Sequence, residues 1–112
     1  MLARAHVHGS AFGIGSTARF SEWGIAHNGD VVLLQKGAQR MIGLIFLVAA
    51  VDGQVCFGVS VWEEINIPRC GVVHLPTSRD RIGIVDADDI LDCLIWSRDE
   101  HGAITAIVAP LA

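Results

Sequence analysis

Residues 41–64 read MIGLIFLVAAVDGQVCFGVSVWEE, and this stretch decides the fold. Two apolar, β-branched runs flank the dipeptide Asp52-Gly53. The dipeptide suits a type I′ turn, because glycine accepts positive φ without steric cost. The stretch therefore predicts a long β-hairpin with strands near 41–51 and 54–63. A lone hairpin is marginal in water, so the rest of the chain has to cover it.

The two strands of this hairpin differ in pattern. Residues 54–63 alternate between a large apolar face and a small, mixed face, as a half-buried strand does. Residues 41–51 are apolar on both faces. A strand of that kind is normally covered on both sides, which predicts a closed barrel or a partner subunit. The residues expected at such an interface are Met41, Ile45, Leu47 and Val51 on one face, or the alternate face with Phe46.

Length and composition favour a single domain that self-associates. The chain has 112 residues, enough for one domain with its own core. Apolar residues make up 52% of the chain, charged residues only 18%, and Lys36 is the single lysine. A small surface this poor in charge exposes apolar patches unless a second chain hides them. We therefore expect a homodimer or a higher homo-oligomer.

Charge and cysteine content limit the other functional classes. The formal net charge is −4 and the eight basic residues are scattered, whereas nucleic-acid binders cluster theirs to neutralise phosphates. The longest apolar run is shorter than a membrane helix needs, and the N-terminus lacks the pattern of a secretory signal. Three widely spaced cysteines predict free thiols and a cytoplasmic location. We expect no nucleic-acid or membrane partner and no cofactor.

The remaining chain predicts more short strands. Residues 1–19 are weakly patterned and predict a loop-like N-terminal segment, with a short edge strand as an alternative at Ala5 to His8, and residues 20–112 predict a single β domain. Further strands are expected at 30–35, 71–75, 81–85, 90–97 and 103–109. Residues 20–27 either pair with 30–35 or lead into it, and Asp88 or Asp89 caps a helical turn at 89–92. The prediction is an all-β barrel or sandwich of six to seven mostly antiparallel strands.

From Gly29 onward the pattern resembles an SH3-like small barrel of the bromo-adjacent-homology (BAH) type. The segments that carry the resemblance are GDVVLL at 29–34, MIGLI at 41–45, VSVWEE at 59–64 and VDADDIL at 85–91. The resemblance implies a small barrel that recognises peptides or chromatin tails through an aromatic cage. Only Trp62 stands at a matching place, so the fold is carried over and the ligand is not.

Several groups of residues could indicate a metal or catalytic site, and each also has a simpler structural explanation. His6-Val7-His8 places two imidazoles on one face of a strand, but a third metal ligand would have to come from elsewhere. Four aspartates at 86, 88, 89 and 92 lack the glycine and glutamate of a calcium loop. Cys70 and His74 would lie about 13 Å apart on an extended chain. We predict no metal site and assign no catalytic residue.

The three tryptophans are the best candidates for a binding surface, because tryptophan combines a large apolar area with one donor. They are Trp23, Trp62 and Trp96, and Trp62 shares a strand face with Cys56 and Ser60. That face is expected to form a shallow groove beside an aromatic wall. The sequence thus favours a module that binds a second copy of itself, with a peptide or protein as a further candidate partner. A small-molecule-binding barrel, or a small enzyme or metal protein using His, Cys and Asp, remains the alternative.

Overall fold

The computed structural model describes residues 3–7, 10–22, 24–62, 65–76 and 81–108, with side chains from residue 13 onward. Within these ranges it is all-β, with twelve strands and one 3-10 turn at Ala87–Asp89. The strands are β1 (Ala3–Val7), β2 (Ser10–Gly15), β3 (Thr17–Arg19), β4 (Ile25–His27), β5 (Val31–Lys36), β6 (Gln39–Val51), β7 (Gln54–Trp62), β8 (Gly71–Leu75), β9 (Arg81–Asp86), β10 (Ile90–Cys93), β11 (Ile95–Arg98) and β12 (Ile104–Val108). The ladders are antiparallel, so the predicted fold class is confirmed.

The hairpin formed by β6 and β7 lies at the centre of the fold. Asp52 has φ of 52° and Gly53 has φ of 81°, so both central turn residues are left-handed, as a type I′ turn requires. This confirms the predicted turn and both strands to within two residues at each end. β6 pairs with β7 along one edge and with β5 and then β2 along the other.

A β-bulge at Phe46 interrupts the alternation of β6. Ile45 pairs with Val59 and Leu47 pairs with Gly58, so Phe46 is an extra residue in the ladder. One inserted residue exchanges the two faces of every residue that follows it. Met41 and Ile45 therefore lie on the opposite face from Leu47 and Val51. The expected grouping of these four residues on one face is wrong for this reason.

The two faces of the main sheet bury different cores. Strand order runs β1-β2-β6-β5-β10, while β7 extends the sheet from β6 to β9. We call the face that carries Phe57, Val59 and Val61 the inner face, and the opposite face, with Trp62, the outer face. The first core lies on the inner face and consists of Ala26, Val32, Leu34, Met41, Ile45, Val48, Phe57, Val59, Val61, Val85 and Ile90.

A second, three-stranded sheet in the order β11-β12-β8 packs on the outer face. The second core lies between the two sheets and consists of Val31, Leu33, Ile42, Trp62, Val73, Leu75, Leu94, Ile104, Ala106 and Val108. The chain crosses from the main sheet to the small sheet at Leu94, whose amide donates to the Val31 carbonyl at 2.8 Å. The single strand expected over 90–97 is therefore two strands, β10 and β11.

The N-terminal part departs most from expectation. Residues 1–19 were expected to be loop-like, yet β1, β2 and β3 occupy most of that segment, and the strand count exceeds six to seven. β2 gains its strand conformation by pairing with the end of β6, a tertiary contact that outweighs its weak local pattern. β4 pairs with β3 rather than with β5.

The helical turn also lies earlier than predicted. The 3-10 turn covers Ala87–Asp89 and follows Asp86, whose amide donates to the Asp89 carboxylate at 3.1 Å. Residues 90–93 instead form β10, because they pair with β5. In the described part of the chain, no helix is long and apolar enough to cross a lipid bilayer.

Candidate functional site

The outer face of the main sheet is covered at one end and open at the other. The small sheet buries the end that carries Ile42 and Trp62. At the other end Phe46 is 43% exposed, Ile82 is 71% exposed and Ile84 is 68% exposed. We call this uncovered end the open patch; it consists of Ile14, Phe46, Leu47, Val51, Cys56, Ser60, Ile82 and Ile84.

Strand pairing makes the open patch contiguous. Directly paired residues in an antiparallel sheet share a face. Gly58 of β7 lies between Leu47 of β6 and Ile84 of β9, and Ser60 lies beside Ile82 in the next row. On the far side of β6, Ile14 pairs with Ala49. The apolar side chains of β6 and β9 therefore lie on either side of the small residues of β7, and Ile14 of β2 extends the same surface.

Phe46 takes its position in the open patch because Gly58 has no side chain. A Cβ at Gly58 would lie 2.9 Å from Phe46 Cζ, closer than such atoms approach, and 3.0 Å from Leu47 Cβ, a very tight contact. The phenyl ring thus occupies the space above Gly58. The bulge and this glycine together place a large aromatic side chain on the surface of a sheet.

Acidic and polar groups border one end of the open patch. A shallow depression of about 340 Å³ there is lined by Val51, Asp52, Gln54, Cys56, Ile84 and Asp86. Cys56 pairs with Asp86 across β7 and β9, so its half-buried thiol lies at the patch border. An apolar centre with a polar border is the usual anatomy of a protein interface.

The residues predicted for an interface separate into two groups. Phe46 and Val51 are exposed on the open patch, and Leu47 is half-buried there. Met41 and Ile45 are instead buried in the first core. The prediction that these two share an exposed face with Leu47 and Val51 is corrected, because the bulge at Phe46 places them on the inner face, where Met41 is 5% and Ile45 1% exposed.

The predicted tryptophan groove is also corrected. Trp62 does share the outer face with Cys56 and Ser60, but it is only 1% exposed, because the small sheet covers it. Its indole Nε1 donates to the carbonyl of Pro76 at 2.9 Å. Trp96 is half-buried against the second core, with the Arg98 guanidinium 5.5 Å from its ring centroid. Trp23 lies outside the described residues.

Sequence reasoning missed a cluster of Cys93, Asp30 and His27. The Cys93 thiol donates to Asp30 Oδ2 at 3.8 Å, and the same oxygen accepts from the His27 amide at 2.7 Å. Nδ1 of the His27 ring lies 3.3 Å from that oxygen. Asp30 and Cys93 are far apart in sequence, so only the pairing of β10 with β5 brings them together.

The chemistry of this cluster is that of a protonated thiol. Burial, followed by the nearby carboxylates of Asp30 and Asp92, raises the pKa of Cys93 from 9.0 to about 12. A nucleophilic cysteine needs a lowered pKa and a base in contact with its sulfur. Here the carboxylate of Asp30 lies between the thiol and the imidazole, so no base contacts the sulfur in the way that a nucleophile requires. The three groups instead connect β4, the start of β5 and β10, which is a structural role.

His8, the second histidine of the candidate metal pair, lies outside the described residues. Cys70 is exposed before β8, and His74 Nδ1 lies 3.4 Å from Thr105 Oγ1. In the ranges that the structure describes, no three His, Cys, Asp or Glu side chains are grouped so as to hold a metal ion.

Comparisons with known proteins provide no relative for this chain. No family model matches the sequence, and searches of curated proteins and of solved structures found no similar chain. The functional argument therefore depends on the geometry of this molecule.

Proposed function

We propose that this protein is a small binding module that pairs with a second copy of itself through the open patch. The observation that carries the proposal is the contiguous exposure of Phe46, Ile82 and Ile84 on one sheet face. Soluble monomers rarely leave a large contiguous apolar patch in water. A two-fold axis through the patch would cover it with the same surface of the second copy.

The size of the chain fits such a dimer. The chain exposes 7160 Å², and a stable interface buries about 800 Å² per partner, roughly a tenth of that surface. The open patch spans four strands and contains an aromatic ring, which is the side-chain class that dominates interface energies. The second copy is favoured over an unrelated partner because the composition of the whole chain is poor in charge.

Two further proposals concern family and location. An SH3-like barrel of BAH type is supported by five strands, β5, β6, β7, β9 and β10, whose end strands β9 and β10 are joined by one 3-10 turn. A cytoplasmic location is supported by three cysteines that form no disulfide.

The dimer is tested by light scattering at micromolar concentration. We expect a mass near 24 kDa, twice the 12.0 kDa of one chain. Phe46→Glu and Ile84→Glu should each give the monomer, because association would bury an unpaired carboxylate. Ile95→Glu is the matched control, since Ile95 is 75% exposed on the small sheet and should leave the mass unchanged. A wild-type mass near 12 kDa would contradict the proposal.

A second measurement locates the interface. Cys56 lies in the open patch and Cys70 lies outside it, before β8. Reaction of Cys56 with a thiol reagent should slow as protein concentration rises, and this protection should disappear in Phe46→Glu. The rate for Cys70 should not depend on concentration. Equal protection of both thiols would show that the copies meet elsewhere.

A further inference from the structure

The open patch carries a bulky group and a hollow close to each other. The bulky group is the ring of Phe46, which occupies the space above Gly58. The hollow is the shallow depression of about 340 Å³ at the acidic end, which we call the border depression. It is lined by Val51, Asp52, Gln54, Cys56, Ile84 and Asp86. A phenyl ring is smaller than this volume, so the depression can receive one.

The lining of the border depression suits an aromatic side chain. Val51 and Ile84 supply apolar surface, and the half-buried thiol of Cys56 supplies a small, polarisable group. Gln54 and Asp86 are exposed and border this surface. The edge of an aromatic ring carries partial positive charge, so a carboxylate beside the ring edge attracts it. The depression therefore offers both an apolar contact and a favourable electrostatic one.

The Phe46 ring is ordered before any partner arrives. It packs over Gly58, where a side chain would otherwise stand, and it remains 43% exposed. A side chain that is already fixed loses little conformational entropy when a partner binds. Aromatic residues that fill a pocket on the partner carry most of the energy of many interfaces. Phe46 thus has the properties of an anchor residue.

The ring and the depression are offset along the direction of β7. Cys56 and Gly58 are successive outward residues of this strand, so their positions differ by about 7 Å along it. A two-fold axis that lies between two copies, at right angles to β7 and midway along this offset, places each ring over the other copy's depression. The sheets of the two copies then stack with their strands aligned, which is a usual mode of sheet packing. An axis through Phe46 itself would leave both depressions empty inside the interface, and an empty space loses packing contacts.

We propose that the Phe46 ring of each copy inserts into the border depression of the other copy. This inference rests on the proposed function, because it concerns the same open patch and the same partner. It adds the reason why the partner is a second copy of this chain: the patch carries both halves of the contact. It also fixes the orientation of the two copies, since both contacts form only with the axis at right angles to β7.

The first test compares two truncations within the open patch. Phe46→Ala should raise the dissociation constant of the dimer about thirtyfold or more, because both insertions are lost. Ile82→Ala is the matched control, since Ile82 is 71% exposed in the patch but does not line the depression. It should raise the constant less than about fivefold. Light scattering over a dilution series gives both constants, and equal losses would overturn the insertion.

The second test uses two variants that each lack one half of the contact. Gln54→Trp should give a monomer, because the indole fills the border depression from an exposed position of the same chain. Mixed with Phe46→Ala, it should form a dimer: its intact ring enters the empty depression of the other chain, and its indole takes the place of the missing ring. The mass should rise from near 12.0 kDa for each variant alone to twice that value in the mixture. Complementation also shows that both variants are folded.

Ser97→Trp is the control for the second test, because it adds the same side chain at an exposed position of β11 and should remain a dimer. A Gln54→Trp protein that associates as tightly as the wild type overturns the insertion. So does a mixture that stays monomeric at a concentration where the wild type is a dimer.

NMR of a dimer mixed from carbon-13-labelled and unlabelled chains observes the contact directly. The ring protons of Phe46 should show nuclear Overhauser effects to the methyl groups of Val51 and Ile84 of the other copy. Effects between the two Phe46 rings instead would keep the open-patch dimer and overturn the insertion. A wild-type protein that is a monomer would overturn both proposals, so the two failures are distinguishable.

Discussion

The two ends of the outer face of the main sheet share strands β6 and β7, yet one end is buried and the other is exposed to water. At one end Trp62 and Ile42 are buried beneath the small sheet, and at the other Phe46 and Ile84 face water. Both ends are apolar, so hydrophobicity alone does not decide burial. The three-stranded sheet covers only one end of this face, so the other end is available to a second protein chain.

The largest effect is expected in the covered end. Trp62→Ala should lower the free energy of unfolding by about 3–5 kcal/mol, because it leaves a cavity between the two sheets. Ile84→Ala in the open patch should cost less than about 1 kcal/mol. Both are measured by urea unfolding in the Phe46→Glu background, so that association does not contribute. If the two variants lose equal free energy of unfolding, the two ends do not differ in burial as described.

The next effect lies at the border between the bulge and the open patch. Gly58→Ala should cost about 1–3 kcal/mol, because the new methyl group meets Phe46 and the Cβ of Leu47. Gly83→Ala, on the neighbouring strand, is the control, since a Cβ there has no heavy atom within 4 Å. Thermal unfolding of the two variants gives the comparison. A Gly58→Ala protein as stable as Gly83→Ala would mean that Phe46 is not held over Gly58.

The turn of the central hairpin should be more tolerant. Gly53→Val should cost about 1 kcal/mol or more, because a β-branched residue is strained at a φ of 81°. Gly53→Asn should cost less, since asparagine accepts left-handed backbone more readily. Melting temperatures of both variants provide the test. An unchanged value for the valine variant would show that the chain relaxes into another turn.

The last effect concerns the dependence of stability on pH through the thiol of Cys93. Because the pKa of Cys93 is raised to about 12 in the folded protein from an ordinary 9.0, the unfolded protein ionises first as pH rises. Cys93 therefore stabilises the fold fully below pH 9, and this contribution is lost between pH 9 and about 12. The loss of stability over that range should be smaller in Cys93→Ala.

Thiol titration measures how many cysteines are free and the order in which they react. The unfolded protein without reductant should give three free thiols, as the unpaired cysteines indicate. In the folded protein at pH 8 the exposed Cys70 should react first and Cys93 last. A total of one thiol would reveal a disulfide and would contradict the proposed cytoplasmic location.

The central hairpin and its turn were predictable because their signals are local: two β-branched runs and a dipeptide with a known turn preference. The faces of β6 were not, since the bulge at Phe46 depends on the missing side chain of Gly58 across the ladder. Strand β2 has no strong sequence pattern of its own, and it forms because it pairs with the edge of β6. The open patch depends on the pairing of β6, β7 and β9, which are distant along the chain, and no short stretch of sequence predicts that pairing.

The length of β6 has a consequence for the order of folding. Its thirteen residues contact β7 through a two-residue turn, so this ladder closes with little loss of chain entropy. The ladder of β10 with β5 joins Cys93 to Val32, which are distant along the chain. Its closure costs more chain entropy, so we expect it to form after the intervening strands. We therefore expect the β6–β7 hairpin to be the nucleus, with high φ-values at Ile45 and Phe57 and low ones at Cys93.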